Sequence, residues 1–166
     1  IPATADGRVA LAMEILIPKA EELGIPMENI YLDPLVLTVN GCQEHGPETL
    51  NAIRSFKMLW DPSPMTTVGL SNISNGPPNH LRPILNQTYM VMLERHGMYS
   101  VIADPLDDGL IDIAKGKRPD IVEMIHKVMD GETIDMGSLS KEMQDYVKTT
   151  NVILGNSLYS DSWLEV

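Results

Sequence analysis

Apolar positions between Arg8 and Leu23 recur at helical spacing, with Val9, Ala12, Met13, Leu16 and Ile17 on one face. Asp6 suits the N-cap and Gly24 the stop. Pro18 should kink or divide the helix, because it has no N–H and its ring collides with the preceding turn. The next apolar run, Ile30-Tyr31-Leu32-Asp33, is short and ends on an acid before Pro34, which predicts a strand. Leu35 to Gly46 reads as a loop around the Asn40-Gly41 turn signal, and Pro47 fits the first turn of a helix reaching about Leu59. A β-branched run from Thr66 climbs to Gly69 and gives way to Ser71-Asn72-Ile73-Ser74-Asn75-Gly76. That pattern predicts a buried strand delivering a polar cluster from its C-terminal end into a pocket. A helix from about Pro83 to His96 is stopped by Gly97, and Ser100 to Pro105 is a third apolar strand ending in Asp-Pro. The remainder is helical in character: Leu110 to Ala114, Ile121 to Met129, and a last helix with Ser140 as N-cap. The apolar and aromatic stretch Leu158 to Val166 is expected to pack down.

A weak repeat underlies this pattern. Asp33, Gly69 and Asp104 each close an apolar strand and precede a helix, 36 and 35 residues apart. One strand plus its crossover helix needs ~30 residues or more. The strands are apolar throughout, as parallel strands covered on both faces should be. Three such units suit an α/β barrel or an open doubly wound sheet, and both architectures place their active sites at the C-terminal strand ends. A full barrel takes ~250 residues. The chain opens at Ile1 in a loop-like Pro-Ala-Thr-Ala-Asp-Gly, so residues 1–166 read as a single partial domain, the C-terminal portion of a barrel.

Composition narrows the partners. A formal charge of −11 and a pI near 4.6 leave no basic stripe for phosphates or for an anionic membrane. No apolar run approaches the ~18 residues of a membrane span, and Cys42 stands alone, without a disulfide partner or thiolate cluster. These features suit a soluble cytoplasmic protein. His45, His80, His96 and His126 lack metal-ligand spacing and read as surface or loop residues, so no metal is expected. No nucleophile elbow or phosphate-cradling glycine loop is present.

The candidate chemistry lies at the strand ends. Asp33 could accept two N–H groups from the edge of a flat heterocycle; equally, an Asp-Pro pair can do no more than cap the next helix, and the same choice applies to Asp104. The amide of Asn72 can donate or accept, so it can stay bonded to a ring nitrogen that changes protonation; alternatively it is a turn asparagine bonded to its own backbone.

Taken in order, several stretches resemble the pterin-binding methyltransferases. They are Tyr31-Leu32-Asp33-Pro34-Leu35-Val36-Leu37 with Gln43-Glu44-His45, then Val68-Gly69-Leu70-Ser71-Asn72-Ile73-Ser74, Arg82 with Leu85-Asn86, and Val101-Ile102-Ala103-Asp104-Pro105. Within that group they are most similar to the methyltetrahydrofolate:corrinoid methyltransferases, relatives of the folate module of cobalamin-dependent methionine synthase. The likeness runs from about Ile1 to Asp112 and resumes near Asn151. It implies an α/β fold, the last three strands and their helices of a pterin-binding (β/α)8 TIM barrel, with the N-terminal half of the barrel missing. It implies 5-methyltetrahydrofolate, or tetrahydrofolate in reverse, as substrate, a separate corrinoid (cobalamin) protein as partner, and a homodimer. By position, Asp33 should hold the pterin ring N–H groups, Asn72 should bond N5 as the catalytic residue, and Gly69, Ser71, Asn75, Arg82 and Ile102 should line the pocket.

Asn75 stands where that family more often has glutamine, the loop Gly76 to Leu81 is about two residues longer, and Lys115 to Lys148 is longer than in the acetyl-CoA-pathway enzymes. These departures lean toward the catabolic branch. Dihydropteroate synthase, of the same fold, would carry a lysine in place of Asn72 and Arg-x-His at its last strand, where this chain has Ile102-Ala103-Asp104. A Schiff-base aldolase would need a lysine at a strand end, and none occupies one. The alternative function is a non-catalytic folate-binding module.

Overall fold

The structure is a computed structural model and describes residues 1–165. Helix α1 (Ala5–Leu11) runs through a π-turn at Ala12–Leu16 into α2 (Ile17–Glu22). The N-cap is Thr4, not Asp6: its side chain accepts from the Gly7 N–H at 3.1 Å, and Asp6 sits in the first turn. Glu48 accepts from the Ala5 N–H at 2.5 Å and supplies a second cap from a distant helix. Pro18 divides the helix as its chemistry requires. The turn just before it widens, so that the Ile17 N–H reaches back five residues to the Ala12 carbonyl. The extra residue turns everything after it by about 100°. Ala12 and Ile17 are therefore buried, while Met13 and Leu16, expected on the same face, are 49% and 47% exposed.

Strand β1 (Tyr31–Leu32) is shorter than its apolar run. The expected loop after it contains a short helical turn, α3 (Val39–Cys42), interrupted at Asn40 and at Gly41, whose φ is +85°. Helix α4 (His45–Leu59) starts two residues before Pro47, which falls in its first turn. Strand β2 (Met65–Gly69) leads into a 3-10 turn, Leu70–Ser74, and then α5 (Arg82–Arg95). Strand β3 (Ser100–Ile102) is followed by α6 (Asp108–Ala114), α7 (Pro119–Met129) and α8 (Lys141–Leu154), the last capped by Ser140 as expected. Of the terminal stretch, Trp163 is 2% exposed and docks through its Nε1–H on Thr149 Oγ1 at 3.0 Å, whereas Leu158 is 88% exposed. Val166 lies outside the described residues.

The three strands are parallel in the order β1-β2-β3, with Leu32 opposite Thr66 and Val68 opposite Val101. The chain is thus α/β, mostly helical, around a three-stranded parallel sheet that does not close into a barrel. Helix α5 is the centre: every residue from Leu85 to Leu93 is buried, against Val68 of β2, Ile53 of α4, Ile125 of α7 and Ile153 of α8. Helix α4 serves two cores, because Ala52 and Phe56 on its other side pack with Ala12, Ile17 and Leu32. Period-2 alternation places Leu32, Thr66 and Val68 on the covered face of the sheet, all buried. Tyr31, Thr67, Gly69 and Ile102 fall on the opposite face, where Tyr31 is 50% and Ile102 73% exposed. Among the described residues no helix is long and apolar enough to cross a membrane.

Candidate functional site

Parallel strands bring their C-terminal ends to one edge, so Asp33, the Gly69–Asn75 turn and Asp104 share an edge of the sheet. Two of these positions repeat one device. In Asp33-Pro34-Leu35, Asp33 Oδ1 accepts the Leu35 N–H at 2.8 Å; in Asp104-Pro105-Leu106, Asp104 Oδ1 accepts the Leu106 N–H at 2.9 Å. Each aspartate fixes its own turn through one oxygen, and neither caps the next helix as the local alternative expected, because Thr38 and Asp107 are the N-caps there. Leu35 is held at φ +67°, a left-handed conformation that costs a non-glycine residue free energy.

Asn72 lies on the 3-10 turn and is exposed. Its main-chain carbonyl accepts the Asn75 N–H at 3.1 Å, and its side chain has no hydrogen-bond partner among the described residues. The amide rests over Gly69, where an added Cβ would stand 3.2 Å from Asn72 Nδ2. Leu70, Ile73 and Ser74 are buried and anchor the turn beneath it. Ser74 Oγ donates to the Ser71 carbonyl at 3.2 Å and accepts from Arg82 Nε at 3.3 Å, so one hydroxyl ties the turn to the start of α5. On the other flank the Thr38 hydroxyl donates to the Asn75 carbonyl. Gly76, at φ +101°, passes close to Asn40, where a Cβ would lie 3.2 Å from its Nδ2. Register places Gly69 opposite Ile102 on the uncovered face.

The expected set is brought together in part. Gly69 and Asn72 touch, Ile102 lies opposite Gly69 in the sheet, and Ser71 and Arg82 line a common cavity. Asp33 shares their edge of the sheet but opens onto a separate cleft of about 100 Å³, beside Tyr31, Leu35 and Arg8. Asn75 is exposed and contributes its carbonyl to the turn. Among the described residues, no three His, Cys, Asp or Glu side chains group closely enough to hold a metal.

Two polar clusters escaped the sequence reading. His45 is not a plain surface residue: its side chain is 14% exposed and its Nδ1 lies 2.9 Å from Arg8 Nη2. Arg8, 4% exposed, also donates to Thr49 Oγ1 at 2.6 Å and to the Pro2 carbonyl at 3.2 Å, and burial pulls its pKa down. The second cluster joins α8, α5 and α6. Tyr146 donates to Gln87 Oε1 at 2.5 Å, and Gln87 Nε2 donates to Asp107 Oδ1 at 2.7 Å. Burial, with Glu142 nearby, pushes the Tyr146 hydroxyl up to about 12. The visible signal was the polar run Asn86-Gln87-Thr88 within an otherwise apolar helix.

No family model matches the chain. Over 103 residues, 60% of this chain, it is 33% identical to a protein named methionine synthase from Mycobacterium tuberculosis. It is 32% identical over 103 residues to methionine synthase from Mycobacterium leprae. The chain spans 9% and 8% of the length of these two proteins, and over that stretch it is similar to methionine synthase.

Proposed function

We propose that this chain carries part of a pterin-binding methyltransferase site, which moves a methyl group between 5-methyltetrahydrofolate and the cobalt of a corrinoid protein. The observation that supports the reading most is Asn72: an exposed side-chain amide with no hydrogen-bond partner among the described residues, set over a glycine at the C-terminal edge of a parallel sheet. The similarity to methionine synthase favours the same class of chemistry. On this reading the uncovered sheet face is the interior of a (β/α)8 barrel, completed by strands from further polypeptide.

The chemistry asks little else of the protein. A tertiary amine is a poor leaving group, so N5 of the folate must gain a proton by the transition state. Asn72 can donate to the N5 lone pair and, by rotating its amide, accept from the protonated nitrogen. A hydrogen bond that strengthens as charge develops lowers the barrier. Asp33 would hold the pterin N–H groups through the oxygen not spent on Leu35, and Gly69, Ser71, Asn75, Arg82 and Ile102 would complete the pocket.

The test is methyl transfer from methyltetrahydrofolate to free cob(I)alamin, followed by absorbance in both directions on the intact protein. A hydrogen bond to a charged group is worth ~1.5–3 kcal/mol, so Asn72→Ala should slow transfer about ten- to a hundredfold. Normal turnover by that variant would remove Asn72 from the mechanism. Tight tetrahydrofolate binding without transfer would favour a non-catalytic folate-binding module.

A further inference from the structure

The Asn72 side chain has no hydrogen-bond partner among the described residues, so its place is set by the backbone that carries it. That backbone is gripped from two sides. Toward α5, Ser74 and Arg82 hold the Leu70–Ser74 turn. Toward the β1–α4 connection, one hydroxyl reaches across. Thr38 Oγ1 donates to the Asn75 carbonyl, and the Asn75 N–H returns to the Asn72 carbonyl at 3.1 Å. Among the described residues no other hydrogen bond joins residues 33–44 to residues 70–81.

The hydroxyl has one orientation open to it. It accepts the Asn40 N–H at 3.1 Å as the N-cap of α3. A carbonyl cannot donate, so the Thr38 proton must point at Asn75. The platform beneath is fixed by packing. Val36 and Val39, on either side of Thr38, are 2% and 1% exposed and share a core with Leu70 and Ile73 of the Asn72 turn. Beside the bridge, Gly76 at φ +101° lets the two connections close up, since a Cβ there would stand 3.2 Å from Asn40 Nδ2. The connection that holds Thr38 begins at Asp33, whose Oδ1 is tied to the Leu35 N–H at 2.8 Å.

We propose that Thr38 is a positioning residue: its hydroxyl sets the spacing between the connection that carries Asp33 and the turn that carries Asn72. The inference rests on the methyl-transfer reading of Asn72 and deepens it. Thr38 acts through the Asn75 carbonyl and not on the substrate. A hydrogen bond that matters in the transition state is sensitive to sub-ångström misplacement. A turn released from Thr38 therefore loses rate before it loses affinity.

The test is steady-state methyl transfer from methyltetrahydrofolate to free cob(I)alamin by the intact protein and its Thr38 variants. Thr38→Val keeps the shape and removes the hydroxyl. It should lower kcat about tenfold while KM changes little. Thr38→Ser restores a group that both accepts and donates, and kcat should return close to that of the parent. Thr38→Asp keeps an acceptor for the cap but cannot donate to Asn75, and should be as slow as the valine variant. On an Asn72→Ala background, Thr38→Val should slow transfer no further. By NMR, the Asn72 side-chain amide signals should move in Thr38→Val and stand at their parent positions in Thr38→Ser. Parent-like kcat in Thr38→Val or Thr38→Asp, or a serine variant as slow as the valine one, overturns the proposal and leaves Asn72 in its role. Parent-like kcat in Asn72→Ala removes the methyl-transfer reading, and the role of Thr38 with it.

Discussion

Arg8 donates from Nη2 to Nδ1 of His45 across 2.9 Å, joining the first helix to the first turn of α4. A guanidinium can only donate, so His45 Nδ1 accepts and the imidazole proton sits on Nε2. The same guanidinium serves Thr49 and the Pro2 carbonyl, and no carboxylate pairs with it among the described residues. Arg8→Ala strands those acceptors and opens a void, and should cost on the order of 2–4 kcal/mol by denaturant titration. Arg8→Lys should recover less than half of that, because one ammonium cannot span three separate acceptors. Nitrogen NMR should find His45 in the Nε2–H tautomer.

Acid should weaken the fold through His96 before the carboxylates titrate. Burial lowers its pKa below 6.5, and Arg54 and Arg95 add to the effect against the hydrogen bond to the Met92 carbonyl. The unfolded chain therefore binds more protons than the folded one just below pH 6.5. The stability held above that pH is lost as pH falls through the folded pKa. His126 shifts in the same direction, again chiefly by burial. Denaturation at pH 7.5 and 5.5 should show the loss, and His96→Gln should shrink it. An unchanged slope in that variant would assign the loss elsewhere.

Much of the fold was legible because its signals are local. Pro18 announced a break in its helix, Ser140 a cap and Gly97 a stop, and all three do what their chemistry dictates. The phase of the first helix was not legible, since a π-turn shifts the apolar face in a way that a fixed period misses. The strand-end positions could be read from spacing alone, because parallel topology forces them to one edge. What spacing could not reveal is which cleft each side chain enters, and Asp33 opens onto a different one from Ser71 and Arg82. The Arg8–His45 contact, 37 residues apart in the chain, has no local signature at all.

Tyr146 is the outermost link of a chain that orients the α6 N-cap. Its hydroxyl donates to Gln87, which donates to Asp107, whose Oδ1 also accepts the Leu110 N–H. Tyr146→Phe keeps the ring packing but leaves Gln87 Oε1 without a donor. It should cost about 1–2 kcal/mol, the price of an unmade buried hydrogen bond. Gln87→Leu on that background should add less than it does alone, because the two groups act as one unit.

Gly69 gives the sharpest test of how Asn72 is placed. Its backbone angles, φ −79° and ψ 90°, suit an alanine. The added Cβ would meet only the Asn72 amide, at 3.2 Å from Nδ2 and 3.9 Å from Cγ. Gly69→Ala should therefore leave stability within about 0.5 kcal/mol of the parent while moving the amide by a few tenths of an ångström. If Asn72 acts on N5 in the transition state, that displacement should lower kcat several-fold and leave KM nearly unchanged, since position matters most at the reacting atom. On an Asn72→Ala background the same substitution has nothing left to displace, and the double variant should be no slower than Asn72→Ala alone. A full additive loss in the double variant would mean that the bare backbone at residue 69 is needed for the substrate itself rather than for the asparagine above it.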